Sequence, residues 1–88
     1  MSNVVVLKMS NGDEVIGNIS NSDSDNLYMD KPRVVFHNGE QGGLMPYCIS
    51  SPDVKEFPIN KNLVVGRFTA PKELADGYLQ STTSILLG

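Results

Sequence analysis

The chain has 88 residues, of which 40% are hydrophobic, and a formal net charge of −3 from seven basic and ten acidic side chains. This length fits one domain, and the hydrophobic fraction argues against disorder along the whole chain. The acidic balance argues against a partner held by bulk charge, such as duplex DNA or an anionic membrane. The single cysteine excludes an internal disulfide framework. Since we find no signal peptide and no long apolar run, we expect a soluble, cytoplasmic protein without a membrane partner.

Two segments near the N-terminus predict a β-hairpin. Residues 4–9 are rich in β-branched side chains, and residues 14–20 alternate as a half-buried strand should. Between them lies Asn11-Gly12, a pair that tolerates the positive φ angles of a tight hairpin turn. Gly17 in the second strand predicts a sharp bend or the close approach of another part of the chain.

The next segment predicts one long strand. A polar turn at residues 21–25 precedes residues 26–37, in which Leu27 and Met29 point inward and Tyr28 points outward. Pro32 cannot donate a ladder hydrogen bond, so we expect a bulge or a local edge there.

Two further strands and a helix complete the pattern. Gly42-Gly43 predicts a turn before a fourth strand at 44–50, Pro52 and Pro58 interrupt the chain, and a fifth strand follows at 63–68. Residues 72–79 predict a short helix that buries Leu74, Tyr78 and Leu79, and the apolar Ile85-Leu86-Leu87 must dock on the domain or on a neighbour. Short strands joined by tight turns predict a mostly β fold, a small and strongly bent barrel or sandwich.

The spacing of residues 7–19 is similar to the first half of the Sm motif, and Asp23 with Asn26 resembles its continuation. The residues that carry the motif are Met9, Asn11, Gly12, Val15, Gly17 and Ile19. The long proline-containing third strand and Ala70-Pro71 resemble the short Sm-like proteins that phages encode.

This resemblance implies a single Sm-like domain at 1–88, with a five-stranded open barrel at about 4–68 and a C-terminal helix and tail at about 69–88. It also implies a homo-oligomeric ring of about five to seven subunits, closed head to tail by pairing of strands four and five. A phage-encoded member would act in the cytoplasm of the host.

The resemblance further implies that Asp23, Asn26, Asn60 and Lys61 lie near the ring pore and bind single-stranded RNA, and Tyr28 is a candidate for stacking on a base. Each residue also has a structural interpretation. Asp23 and Asn26 are common turn formers, Lys61 is an ordinary solvated lysine, and Tyr28 packs at a subunit interface or on the tail helix. A ring that serves only as a protein-interaction scaffold, without RNA, is the alternative function.

No catalytic constellation, metal site or cofactor site is predicted, so we expect a protein that is not an enzyme. His37 is the sole histidine and has no nucleophile or carboxylate partner nearby in sequence. Cys48 lies in an apolar stretch and is predicted to be a small core residue. Gly42-Gly43 lacks the following Lys-Ser/Thr of a phosphate-binding loop.

Overall fold

The structure is a computed structural model that describes residues 4–38 and 41–83. A 3-10 turn (Lys61–Leu63) joins the last two strands, and one helix, α1 (Lys72–Thr83), follows them. The described part of the chain is mostly β with one short helix, as the sequence predicts. The strands in chain order are β1 (Val4–Met9), β2 (Glu14–Ser22), β3 (Asn26–Asn38), β4 (Gln41–Pro46), β5 (Phe57–Asn60) and β6 (Val64–Thr69).

The strands form one antiparallel sheet in the order β4-β3-β2-β1-β6, and β5 pairs with β3 as well. The prediction of five strands is therefore wrong, because Pro58 lies inside the additional strand β5. Among the described strands β5 pairs only with β3, so its other edge is unpaired. Proline is tolerated in an edge strand of this kind. The predicted fourth strand is also shifted: Gly42 and Gly43 pair with β3 instead of forming a turn, and β4 ends at Pro46.

A bulge divides β3 into two halves. Arg33 lies opposite Ile16 and Asp30 lies opposite Asn18, so Lys31 and Pro32 together face the single residue Gly17. Lys31 has a φ of 47°, outside the strand region. This irregularity confirms the bulge predicted at Pro32. The half before the bulge pairs with β5 and the half after it pairs with β4.

Gly17 is required by close packing against the first half of β3. A Cβ at this position would overlap the side chain of Met29, which is fully buried, and would also crowd the Asp30 carbonyl oxygen at 3.2 Å. The close approach predicted from this mid-strand glycine is confirmed.

Both faces of the β1–β2 hairpin are buried. On one face, Leu7 belongs to the larger core cluster. On the other face, Val6 and Ile16 pack with Tyr78 of α1. The helix therefore covers the second face, which explains why the consecutive residues Val15 and Ile16 are both buried instead of alternating. The larger cluster consists of Val5, Leu7, Met9, Val15, Leu27, Met29 and Ile59.

The helix docks through Tyr78, whose hydroxyl donates to the Asp30 carbonyl oxygen at 2.7 Å. It ends at Thr83, later than predicted, and Leu79 is exposed instead of buried. The apolar segment Ile85-Leu86-Leu87 lies outside the described residues. No described helix has the length and apolar character needed to span a membrane.

Cys48 is not a core residue. It is half-buried in the segment that follows β4, because the strand ends at Pro46 before reaching it. Its neighbour Ile49 is 82% exposed. The apolar run that predicted a buried strand here instead forms part of a surface loop.

We expect Gly17→Ala to destabilise the fold by about 1–3 kcal/mol, since the added methyl group must displace Met29 from a filled core. Gly66→Ala is the matched control, because a Cβ at Gly66 would meet Lys8 at an ordinary 3.6 Å. Urea denaturation of both variants measures the difference. Equal midpoints for the two variants would contradict the packing described here.

Candidate functional site

The loop between β2 and β3 is organised by one carboxylate. Oδ1 of Asp23 accepts the backbone N–H groups of Asp25 at 2.9 Å and of Asn26 at 2.8 Å. The backbone N–H of Asp23 donates to the Asn26 carbonyl oxygen at 2.9 Å. Aspartate is favoured at the start of such turns because its side chain bonds to the following backbone. These bonds fix the position from which β3 begins.

The second loop is the 3-10 turn between β5 and β6. Oδ1 of Asn60 accepts the backbone N–H of Asn62 at 2.8 Å and so caps the turn. Lys61 is the first residue of the turn, and its side chain is exposed. The Asn60 cap therefore fixes the backbone of the turn from which the positively charged Lys61 side chain extends.

Strand pairing joins the two loops into one surface. Asn26 at the start of β3 lies opposite Asn60 at the end of β5. The backbone N–H of Lys61 donates to the Asp25 carbonyl oxygen at 2.8 Å. The structure therefore brings together all five predicted site residues. The loop cluster, as we call it, consists of Asp23, Asp25, Asn26, Tyr28, Asn60 and Lys61.

Tyr28 is tied to the same loop by its hydroxyl. The hydroxyl donates to Oδ2 of Asp23 at 2.6 Å, and the side chain of Asn26 also hydrogen-bonds to it. Tyr28 is half-buried and lies on the outer side of β3, while its neighbours Leu27 and Met29 point into the core. Its ring is therefore held in one orientation at the surface.

The hydrogen bond between Asp23 and Tyr28 perturbs both groups. The Tyr28 hydroxyl, followed by the backbone N–H groups of Asn26 and Asp25, lowers the pKa of Asp23 below its ordinary value of 3.8. The ionised carboxylate in turn raises the pKa of Tyr28 above its ordinary value of 10.0. Because the folded-state pKa of Asp23 is depressed, the stabilisation it provides is present above pH 3.8 and is lost as the pH falls through the folded-state value.

The cluster divides into groups that hold it together and groups that can contact a ligand. Asp23 uses both carboxylate oxygens on its own loop, so it acts as a positioning residue. Within the described residues, the ammonium group of Lys61 and the amide nitrogen of Asn60 make no hydrogen bond. Together with the face of the Tyr28 ring, they offer hydrogen-bond donors and a stacking surface for a ligand that has acceptor atoms and a flat ring.

Sequence reasoning missed Asp25, whose carbonyl oxygen joins the two loops. A backbone interaction of this kind leaves no signal in residue type, so no pattern could have identified it. No group of three or more side chains in the described part of the chain is arranged to hold a metal ion.

Comparison with models of known protein families finds no match to this chain, and comparison with curated proteins finds no similar sequence. The interpretation of the loop cluster therefore depends on its residues and their arrangement.

We expect Asp23→Asn to lower the pKa of Tyr28 toward 10.0, because the hydrogen bond to the carboxylate is the largest cause of the rise. Asp25→Asn is the control, since it removes the same charge from the neighbourhood without breaking that bond, and its effect should be smaller. Ultraviolet titration of phenolate absorbance, with Tyr28→Phe to assign the signal, measures both. If both variants lowered the pKa of Tyr28 equally, the negative charge of the loop, and not the hydrogen bond to Asp23, would be the cause of the raised pKa.

Proposed function

We propose that this chain is a phage-type Sm-like protein that forms a homo-oligomeric ring and binds single-stranded RNA through the loop cluster. The observation that carries the proposal is the contact between two loops that are far apart in sequence, made by the Asn26–Asn60 pairing and the 2.8 Å bond from the Lys61 N–H to the Asp25 carbonyl oxygen. The mostly β fold, the proline-containing third strand with its bulge and the C-terminal helix agree with the Sm-like domain that the motif spacing implies.

Single-stranded RNA fits the chemistry of this surface. Unpaired bases expose flat faces and edges rich in acceptors, which a tyrosine ring and an amide group can engage. The Tyr28 ring is held in place by Asp23, so stacking on it costs little conformational entropy. Lys61 supplies one positive charge for a phosphate, and the amide nitrogen of Asn60 can donate to a base edge.

Ring formation is supported by the two ends of the sheet. Among the described strands, β4 pairs only with β3 and β6 pairs only with β1, so each presents one unpaired edge. Exposed strand edges favour pairing with another chain. Large apolar side chains accompany both edges: Met45 on β4 is exposed, and Val65 on β6 is 68% exposed. A head-to-tail interface of β4 with β6 of the next subunit would cover both side chains and close a ring.

The alternative of a scaffold ring without RNA has one observation in its favour. Asp23 and Asp25 outnumber the single cation of the loop cluster, and the whole chain carries a net charge of −3. A negative surface disfavours a polyanion and favours a basic protein partner. A titration with RNA distinguishes the two functions.

We expect the protein to bind labelled oligo(U) or oligo(A), and Lys61→Ala to weaken that binding. If Lys61 pairs with one phosphate, the variant should show a slope of log K against log salt that is shallower by about 0.7, because fewer counterions are released. Fluorescence anisotropy at several salt concentrations measures both the affinity and the slope.

The control variant is Lys55→Ala, which removes an exposed lysine from the loop before β5, at the opposite end of that strand from Asn60. It should leave the affinity and the salt slope unchanged. If neither oligonucleotide binds at low salt, the RNA-binding proposal is rejected and the scaffold function remains. If both lysine variants weaken binding equally, binding through the loop cluster is rejected.

We expect Val65→Asp to convert the ring to monomers, since it places a charge on the edge strand that would be buried between subunits. Val65→Thr keeps the branched shape and should preserve the ring. Native mass spectrometry and light scattering measure the mass of each variant. A wild-type protein that stays monomeric at micromolar concentration would exclude the ring.

A further inference from the structure

An apolar pocket lies between the β3–β4 hairpin and α1. None of the residues of the loop cluster lines it. Its volume is about 380 Å³, within the range of roughly 300–1,000 Å³ that ligand pockets span. The hairpin contributes Val35, Phe36 and Leu44 to its walls, and the helix contributes Leu74 and Gly77.

Gly77 of α1 is exposed and lines this pocket. It lies inside α1, where glycine is less favourable than alanine. A Cβ at Gly77 would meet no atom within 4 Å, so no described residue requires a glycine there. Because Gly77 lines the pocket, any larger side chain would extend into its space. The unfavourable helix residue is explained if something else occupies that space.

The chain itself carries a suitable occupant close by. Residues 84–88, which lie outside the described residues, have the sequence Ser-Ile-Leu-Leu-Gly and follow directly after α1. From Gly77 to Thr83 the helix is about 9 Å long. Fully extended from Thr83, the chain reaches about 10 Å at Leu86 and about 13 Å at Leu87, which is enough to return to Gly77, whereas Ile85 at about 7 Å does not reach it.

We propose that Leu86 and Leu87 dock into the apolar pocket of their own chain. The pocket is lined mainly by apolar residues, with His37 and Glu73 also in its wall, and apolar side chains of the tail gain stability by leaving water. A tether of a few residues gives the tail a high effective concentration at its own pocket, so intramolecular docking competes well against the tail of another copy. This inference does not depend on the RNA-binding or ring proposals.

The test places a fluorescent reporter and a quencher in the full chain. Since the chain has no tryptophan, Phe36→Trp gives a single reporter at the pocket. Cys48→Ser and Gly88→Cys together allow one nitroxide label to be attached beside the apolar tail. We expect the label to quench the reporter at position 36. It should quench a reporter at the similarly exposed Phe68, made by Phe68→Trp, much less.

Two further experiments determine whether the tail comes from the same chain and whether its apolar side chains are required for docking. The labelled protein is refolded with an excess of unlabelled, tryptophan-free chain, and quenching should persist. Replacing Ile85, Leu86 and Leu87 together by serine should abolish the quenching. The proposal is overturned by absence of quenching, by quenching that the excess chain removes (which would assign the docking to a second copy), or by quenching that survives the serine replacements.

Discussion

The bulge at Lys31 and Pro32 is the constraint on which the other elements depend. Two residues of β3 face one residue of β2, and bulges of this kind bend a strand and increase its twist. The conformation is supported from three directions. The Lys31 N–H donates to the Val54 carbonyl oxygen at 2.7 Å, and the Pro32 carbonyl oxygen accepts the Tyr47 N–H at 3.0 Å. Tyr78 of α1 bonds to the adjacent Asp30 carbonyl oxygen, so the helix is fixed beside the bulge.

The two halves of β3 therefore serve different surfaces. The first half pairs with β5, and this pairing brings Asn60 next to Asn26 and forms the loop cluster. The second half pairs with β4 and contributes Phe36 to the wall of the apolar pocket. Between them, the segment after β4 is held by Arg33, a buried side chain that donates to the Pro52 carbonyl oxygen and pairs with Asp53 at 3.1 Å. β4 and β5 therefore pair with separate segments of β3, one on each side of the bulge.

The parts of the fold that depend on local residue chemistry could be predicted from sequence. The Asn11-Gly12 turn follows from the backbone freedom of these two residues, and it is present between β1 and β2. The irregularity at Pro32 follows from the missing N–H donor of proline, and it is present as the bulge. The strand around Pro58 could not be predicted, because its formation depends on a single distant partner and not on its own propensity. The resemblance to the Sm motif suggested five of the six members of the loop cluster, whereas their contacts depend on long-range strand pairing and on the hydroxyl of Tyr28.

The charge balance of the loop cluster limits how it can bind RNA. Two carboxylates and one ammonium group leave each cluster negative, so attraction to phosphate cannot be the main source of affinity. In the proposed function, one subunit would offer a stacking surface at Tyr28, an amide donor at Asn60 and a single cation at Lys61, which together would hold one nucleotide weakly. Repetition around a ring changes this, because each nucleotide bound raises the effective concentration of the next at the neighbouring site. In the proposed protein, assembly through the sheet edges and binding at the loop cluster are therefore one requirement: without the ring, the site is too weak to retain RNA.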